Sequence, residues 1–301
     1  MNAPAEPFKA LTSYAYFGKP AFTDLLDTLH AGPVMVFGDS GAHSARTLGL
    51  ALTLDGYAAW CHEHDRRLTL YANLDVIGAP EATWRNQQAL QERGLTPIPV
   101  FHTGEPWHFL ERYLDEGHTY IALGKLLGNP LAELLPWLDT AFRLAQGRAV
   151  FHGFGMTTWE VLRRLPFYSV DSSKWLEGER FGVATLYDDR TGSWVRFLLR
   201  DKAAVLQHLD LIRSYGMDPR LLANRAIFTA RRHEFTAAVA QSYRRAEADL
   251  RTRHGLVTLP DSPRNPITRH GTPSTPGLHI YLAGANQTVF TRAVNGVRGQ
   301  A

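Results

Sequence analysis

The stretch PVMVFGDSG, residues 33–41, decides how the rest of the chain is read. Pro33 to Phe37 carry no charge and run straight into glycine, aspartate, serine and glycine. An uninterrupted apolar run of this length suits a strand buried on both faces. Polar residues and glycines at its C-terminal end suit a loop that carries chemistry.

The same pattern recurs down the chain. LTLYANL (68–74) runs into Asp75, and PIPVF (97–101) into His102-Thr103-Gly104. TYIAL (119–123) runs into Gly124-Lys125, and AVF (149–151) into His152-Gly153-Phe154-Gly155. FYSV (167–170) runs into Asp171-Ser172-Ser173. The segments between are good helix formers. Tyr57–Arg67 reads as a helix, and Trp84–Arg93 ends at Gly94, a natural C-terminal cap. Trp107–Leu114 and Leu131–Leu144 place apolar residues three and four apart. Thr157–Thr158 can cap Trp159–Leu165 before Pro166.

Strands alternating with helices predict a parallel sheet with right-handed crossovers. A barrel and a doubly wound sheet both satisfy that. A barrel gathers every strand end into one site, whereas an open sheet uses only those near its switch point. Nearly every strand here ends in polar residues or glycine, and no glycine-rich dinucleotide fingerprint opens a helix. The predicted class is therefore α/β, a TIM (β/α)8-type barrel with a mainly helical, basic C-terminal extension.

The pattern changes after Trp175. Phe181–Tyr187 and Ser193–Leu198 read as strands joined by a turn at Asp188–Gly192. Lys202 to Arg253 reads as helical, Pro260–Pro276 as a loop, and His279–Ala283 as a last strand before Gly284–Ala285–Asn286. The expected division is residues 1–200 as the first part of the barrel core. Residues 201–301 form a helical basic region plus the strand that completes the barrel.

Bulk properties exclude several classes. Of 301 residues, 45% are hydrophobic, enough for a full core. No run of about 18 uncharged apolar residues occurs, so no membrane association is expected. Met1 to Lys9 lack the pattern of a signal peptide, which makes a cytoplasmic location the expectation. The one cysteine, Cys61, can form neither an internal disulfide nor a cysteine-based zinc site. His62 and His64 beside it fall on different faces of the expected helix, so no metal is expected. A net charge of +3 and a pI near 9.0 suit a polyanionic partner.

Taken in order, GDSGAHS (38–44), ANLDVIG (72–78), PVFHTGE (99–105), IALGKLLGN (121–129), FHGFGM (151–156) and YSVDSSKW (168–175) resemble the tRNA-guanine transglycosylase superfamily. The closer likeness is to its phage and bacterial branch that inserts 7-deazaguanines into DNA. The resemblance spans residues 33 to 175. It implies that Asp39, in Asp39-Ser40-Gly41, is the general acid/base and Asp171 the nucleophile. It implies that Asp75 hydrogen-bonds the purine edge. Ser40, Gly41, His102, Gly124, Lys125, His152, Gly153, Phe154 and Gly155 would line the substrate site. His102-Thr103-Gly104 stands where the family has a Gln-Gly-Gly-type ending, and Gly124-Lys125 where it has a Gly-Gly pair. The tRNA enzymes carry a zinc subdomain of three Cys and one His, which a chain with one Cys does not hold. That points to DNA rather than tRNA.

The resemblance implies base exchange through a covalent aspartyl–sugar intermediate. No cofactor is expected beyond the 7-deazaguanine base as co-substrate. Expected partners are DNA, with tRNA as the alternative, and a small purine analogue; a homodimer is compatible with the reading. Phe154, Met156 or Trp175 are candidates to stack on a flipped base. Lys174, Arg225, Arg231, Arg232, Arg244 and Arg245 are candidates for phosphate contact.

Plainer readings of the same residues stand beside these. Asp39 could cap a helix starting at Ser40, Asp75 could bond local backbone, and Asp171 could be a turn residue. The arginines could form a solvated helix face. A retaining glycoside hydrolase using Asp39 and Asp171 is the alternative from another class.

Overall fold

The computed structural model describes residues 6–17, 21–267, 275–284 and 287–298. Among the described residues ten strands run in chain order: β1 (Phe8–Ser13), β2 (Val34–Asp39), β3 (Leu70–Tyr71), β4 (Val100–His102) and β5 (Tyr120–Gly124). They continue as β6 (Val150–Gly153), β7 (Ser169–Ser172), β8 (Val183–Asp188), β9 (Ser193–Leu198) and β10 (His279–Ala283). Eight of them form one parallel sheet in the order β3-β2-β1-β10-β7-β6-β5-β4. β8 and β9 pair with each other in an antiparallel hairpin.

The parallel sheet is curled, and its two edges approach each other. Ala72, just past β3, makes a parallel bridge with Ile98, just before β4. Ile98 donates its N–H to Tyr71 and Asn73 donates to Ile98, both at 2.9 Å. The arrangement is consistent with a TIM-like barrel.

Most strands of the parallel sheet read as apolar runs because they bury both faces. Val36, Phe101, Ile121, Phe151 and Val170 point outward into the main core beneath the helices. Leu11, Phe37, Val100, Ala122 and Tyr281 point inward into a second, enclosed cluster. Side chains alternate along a strand. The next inward position above Phe37 is Asp39, and above Val100 it is His102. Gly124 follows Ala122 on β5 in the same way, and Asp171 follows Ser169 on β7, whereas His152 pairs with Ala122 and Ser169 and stays buried beneath Gly124 and Asp171. Strand pleating thus turns Asp39, His102, Gly124 and Asp171 towards the cavity above the apolar plug.

Several elements match their sequence prediction. Leu131–Leu144 is helical over that whole span, and β9 and β10 fall where expected. The helix expected at Trp84–Arg93 begins earlier, at Pro80, since proline serves as a first helical residue. The helix expected at Tyr57–Arg67 occupies Leu54–His64, where the Thr53 side chain caps it by accepting from Gly56 N at 3.1 Å. Lys202 to Arg253 is divided into Lys202–Gln207, Leu209–Ser214, Pro219–Ala223, Arg225–Ala230 and Arg232–His254. Asp201, Asp218 and Asn224 each cap a new start with their side chains.

β1 and the helices Ala21–His30 and Gln287–Arg298 had no sequence expectation. β1 was hidden by Lys9, which interrupts its apolar run. Lys9 is buried, 2.9 Å from Glu6 and ion-paired with buried Glu247. The described part of the expected loop Pro260–Pro276 has neither helix nor strand; residues 268–274 lie outside the described residues, as do Ala285 and Asn286. Among the described residues, no helix is long and apolar enough to cross a membrane.

Candidate active site

Asp39, Asp75 and Asp171 line one cavity of about 700 Å³ at the C-terminal ends of the parallel strands. That size suits a small organic ligand. His102, Gly124, Lys125, Phe154 and Gly155 line it too.

Asp39 ends β2. Its Oδ2 accepts the Gly41 N–H at 3.1 Å, which shapes the turn into the helix Ala42–Leu48. Asp39 therefore orders the turn, but the helix starts later than Ser40. Burial, followed by the negative charges of Asp75 and Asp171, pushes the Asp39 carboxyl up to about 8 against the pull of the Gly41 and Ser40 N–H groups. Asp39 is protonated at neutral pH.

This has a consequence for stability. The folded pKa, about 8, lies above the ordinary 3.8, so the native state holds the proton more tightly than the unfolded chain does. The native state's advantage from this group is complete below about pH 4 and is lost as pH climbs towards 8. Asp39→Asn removes that dependence. Denaturant midpoints at pH 5 and pH 8 should converge in the variant, while those of the wild type separate, with the lower midpoint at pH 8.

Gly41 is needed twice over. Its φ is +77, and a Cβ there would lie 2.3 Å from Ser13 Oγ and 2.5 Å from the Ala15 Cβ. Gly41→Ala should cost about 1–3 kcal/mol in a denaturant melt. A loss under 0.5 kcal/mol, roughly the scatter of a neutral surface change, would show that the turn relaxes freely.

Asp75 does not bond its local backbone. Its Oδ1 accepts the Ser40 hydroxyl at 2.9 Å, and its Oδ2 lies 2.9 Å from His102 Nε2. Ser40 is fully buried and holds no ligand position of its own. His102 in turn meets Glu105: Nδ1 is 2.8 Å from Oε1, and the His102 backbone N–H donates to Oε2 at 2.9 Å. Burial disfavours the imidazolium, yet hydrogen bonds to Asp75 and Glu105 and their charges outweigh it and push the ring up to about 9. Gly124 pairs with His102 across β4 and β5, and a Cβ at Gly124 would lie 2.5 Å from His102 Cδ2. Gly124 makes room for this ring. Lys125 has φ +55, and its carbonyl accepts from Thr103 Oγ1 at 2.6 Å and Asn129 Nδ2 at 2.7 Å.

Asp171 lies inside β7 rather than in a turn after it. Its Oδ1 accepts the Gly155 N–H at 2.7 Å, and Oδ2 makes no hydrogen bond to the described residues. His152 Nε2 is 3.4 Å from Oδ1 without hydrogen-bond geometry, while Nδ1 is 2.6 Å from Ser169 Oγ. Burial holds the His152 ring below its ordinary pKa, against the pull of Asp171. The ring is neutral and packs 4.6 Å from both Phe37 and Phe154. Gly153 points outward against Met156 and Phe167, so it supports the strand end rather than lining the cavity.

Of the three stacking candidates, Phe154 lines the cavity. Met156 and Trp175 are buried, and Trp175 donates to the Ala283 carbonyl at 2.8 Å. None of the phosphate candidates lines this cavity. Lys174 and Arg225 are exposed. Arg231 pairs with Glu234 and Asp218, and Arg232 lies over the Phe228 ring. Arg244 donates to the Glu6 carbonyl, and Arg245 pairs with Asp189 and stacks on Tyr215. Arg231 and Arg232 make these contacts within the C-terminal helical region, and Arg244 and Arg245 tie it to Glu6 and Asp189.

Glu105 is the site residue that the sequence did not single out. Its signal was the i, i+3 spacing from His102 across a glycine turn. His43, Ser44 and Thr47, on the inner side of the helix Ala42–Leu48, also line the cavity. Among the described residues, no cluster of His, Cys, Asp or Glu has the makings of a metal site. Cys61 is buried and His62 exposed, while His64 packs edge-on against Phe22 and Trp60. Comparison of the sequence with models of known protein families finds no match, and comparison with curated proteins finds none either.

Proposed function

We propose that this protein exchanges a purine base at a sugar C1′ through a covalent intermediate on Asp171, with Asp39 carrying the proton. The observation that carries the reading is that Asp39, Asp75 and Asp171 line one cavity, with Asp75 held 2.9 Å from His102 Nε2.

The chemistry follows from that arrangement. Asp171 Oδ2 attacks C1′ as the bond from C1′ to the base nitrogen breaks. The departing base takes the Asp39 proton. An incoming base then attacks C1′, gives its N–H proton back to Asp39, and displaces Asp171. Two displacements at one carbon retain configuration. One glycosidic bond replaces another, so no energy source is needed. Asp75 keeps acceptor capacity for the N–H and amino donors of a guanine edge, and Phe154 offers a ring face.

The resemblance to the guanine transglycosylases supplies the substrate: guanine in DNA, exchanged for a 7-deazaguanine. Lys125 supports it from the backbone. It stands at the second position of the family's Gly-Gly pair and adopts the left-handed conformation that glycine takes without cost. We also propose that the curled sheet is a closed (β/α)8 barrel, supported by the bridge from Ala72 to Ile98, with the helices after β9 as its basic extension.

The test is exchange of labelled guanine into DNA and tRNA side by side, with an aryl glycoside as a third substrate. Incorporation into DNA alone is expected. Incorporation into tRNA moves the substrate to RNA. Glycoside hydrolysis without exchange replaces the reading by a retaining hydrolase, although Phe154 is the cavity's one Phe, Tyr or Trp among the described residues.

A further inference from the structure

We infer that Glu105 is a positioning residue that acts through His102 to hold Asp75 as a double hydrogen-bond acceptor, and so sets selectivity for a base edge with two adjacent donors. The inference rests on the reading of Asp75 as the base-binding carboxylate.

The geometry leaves little freedom. Glu105 engages His102 at two points, the ring Nδ1 at 2.8 Å and the backbone N–H at 2.9 Å. His102 is 2% exposed and Glu105 9%, so neither swings into solvent. Gly124 closes against the ring on the opposite strand. His102 Nε2 then meets Asp75 Oδ2, and buried Ser40 donates to Oδ1. The titratable groups that meet the His102 ring are Asp75 and Glu105.

Lone-pair counting gives the consequence. A carboxylate oxygen accepts about two hydrogen bonds. Each Asp75 oxygen has one protein donor, so each retains one further acceptor position. A ligand edge with two neighbouring donors, such as ring N–H beside an exocyclic amine, fills both. An edge lacking the amine leaves one partner unmet. Were His102 neutral, it could turn an acceptor nitrogen towards Asp75 Oδ2 and lose the hydrogen bond that holds it. Two carboxylates around one imidazolium prevent that.

Two measurements test this on the intact chain. The first is the imidazole NMR titration of His102 in the wild type and in Glu105→Gln. The wild-type ring should stay protonated through pH 8, and the variant should lose its proton at lower pH. The second is competition of guanine and hypoxanthine, which differ by the 2-amino group, in labelled-guanine exchange. Glu105→Gln should raise KM for guanine about tenfold, the size of one lost charged hydrogen bond, with kcat changed far less. Preference for guanine over hypoxanthine should narrow by a similar factor, and Glu105→Asp should restore part of it. If wild-type His102 titrates near its ordinary value, or the variant keeps both the protonated ring and the discrimination, the inference is wrong. If the wild type exchanges no base at all, the proposed function fails instead, and the His102 titration still decides the role of Glu105.

Discussion

Asp171→Ala is expected to remove a covalent protein–DNA adduct completely and to lower base exchange by about 10⁴-fold or more. The reason lies in the free oxygen. Asp171 Oδ1 is occupied by the Gly155 N–H at 2.7 Å, which fixes the carboxylate plane. Oδ2 has no hydrogen bond to the described residues, and Asp171 lines the cavity shared with Asp39 and Asp75. The experiment mixes wild-type protein with guanine-containing DNA, adds free base, denatures, and reads a shifted band on a gel. Alanine has no oxygen with which to form the bond. Neither His152 nor Ser173 replaces it: His152 is fully buried behind Asp171, and an unactivated serine hydroxyl is a weak nucleophile. An adduct that survives in Asp171→Ala would place the nucleophile elsewhere.

Asp39→Asn is expected to slow exchange by about 10²–10⁴-fold while leaving binding of the base nearly unchanged. Asparagine keeps the shape of the side chain and its acceptor oxygen for the Gly41 N–H, but it has no proton to give. The pH profile is the sharper readout. Protonated Asp39 is the form that starts the reaction, so wild-type exchange should hold through neutral pH and fall as pH passes about 8. The residual rate of Asp39→Asn should lack that falling limb. A wild-type limb that persists in the variant would assign the titrating proton to another group. A loaded intermediate changes the sign for the second half-reaction. With the first base gone and Asp39 ionised, its task is to take the proton of the incoming base.

These two expectations show how far the sequence reached. The strand-end aspartates could be picked out because a buried parallel strand is apolar along its whole length, and a charge at its end stands out. PVMVF before Gly38–Asp39 and FYSV before Asp171 are such runs. Glu105 was not separable in this way. It sits in a turn, where acidic residues are common and most are solvated. Its meaning comes from His102, whose two ring nitrogens face carboxylates from two different segments. The arginines of the C-terminal helices show the opposite situation. Their density suggested a phosphate-binding face, and four of the five named above meet acceptors or rings of the chain itself.

By itself the sequence determined the alternation of strand and helix, the location of most of the strands, and the three aspartates at their ends. Periodicity and capping are local, and a local signal survives in a linear string. Only the tertiary structure decided that β1 and β10, from opposite ends of the chain, lie side by side in the sheet. Only it decided that the Asp39 carboxyl is pushed up, because that depends on burial and on two carboxylates remote in sequence. PVMVFGDSG was enough to mark a strand that ends in chemistry. The role of its aspartate was set by what the other strands bring to the same cavity.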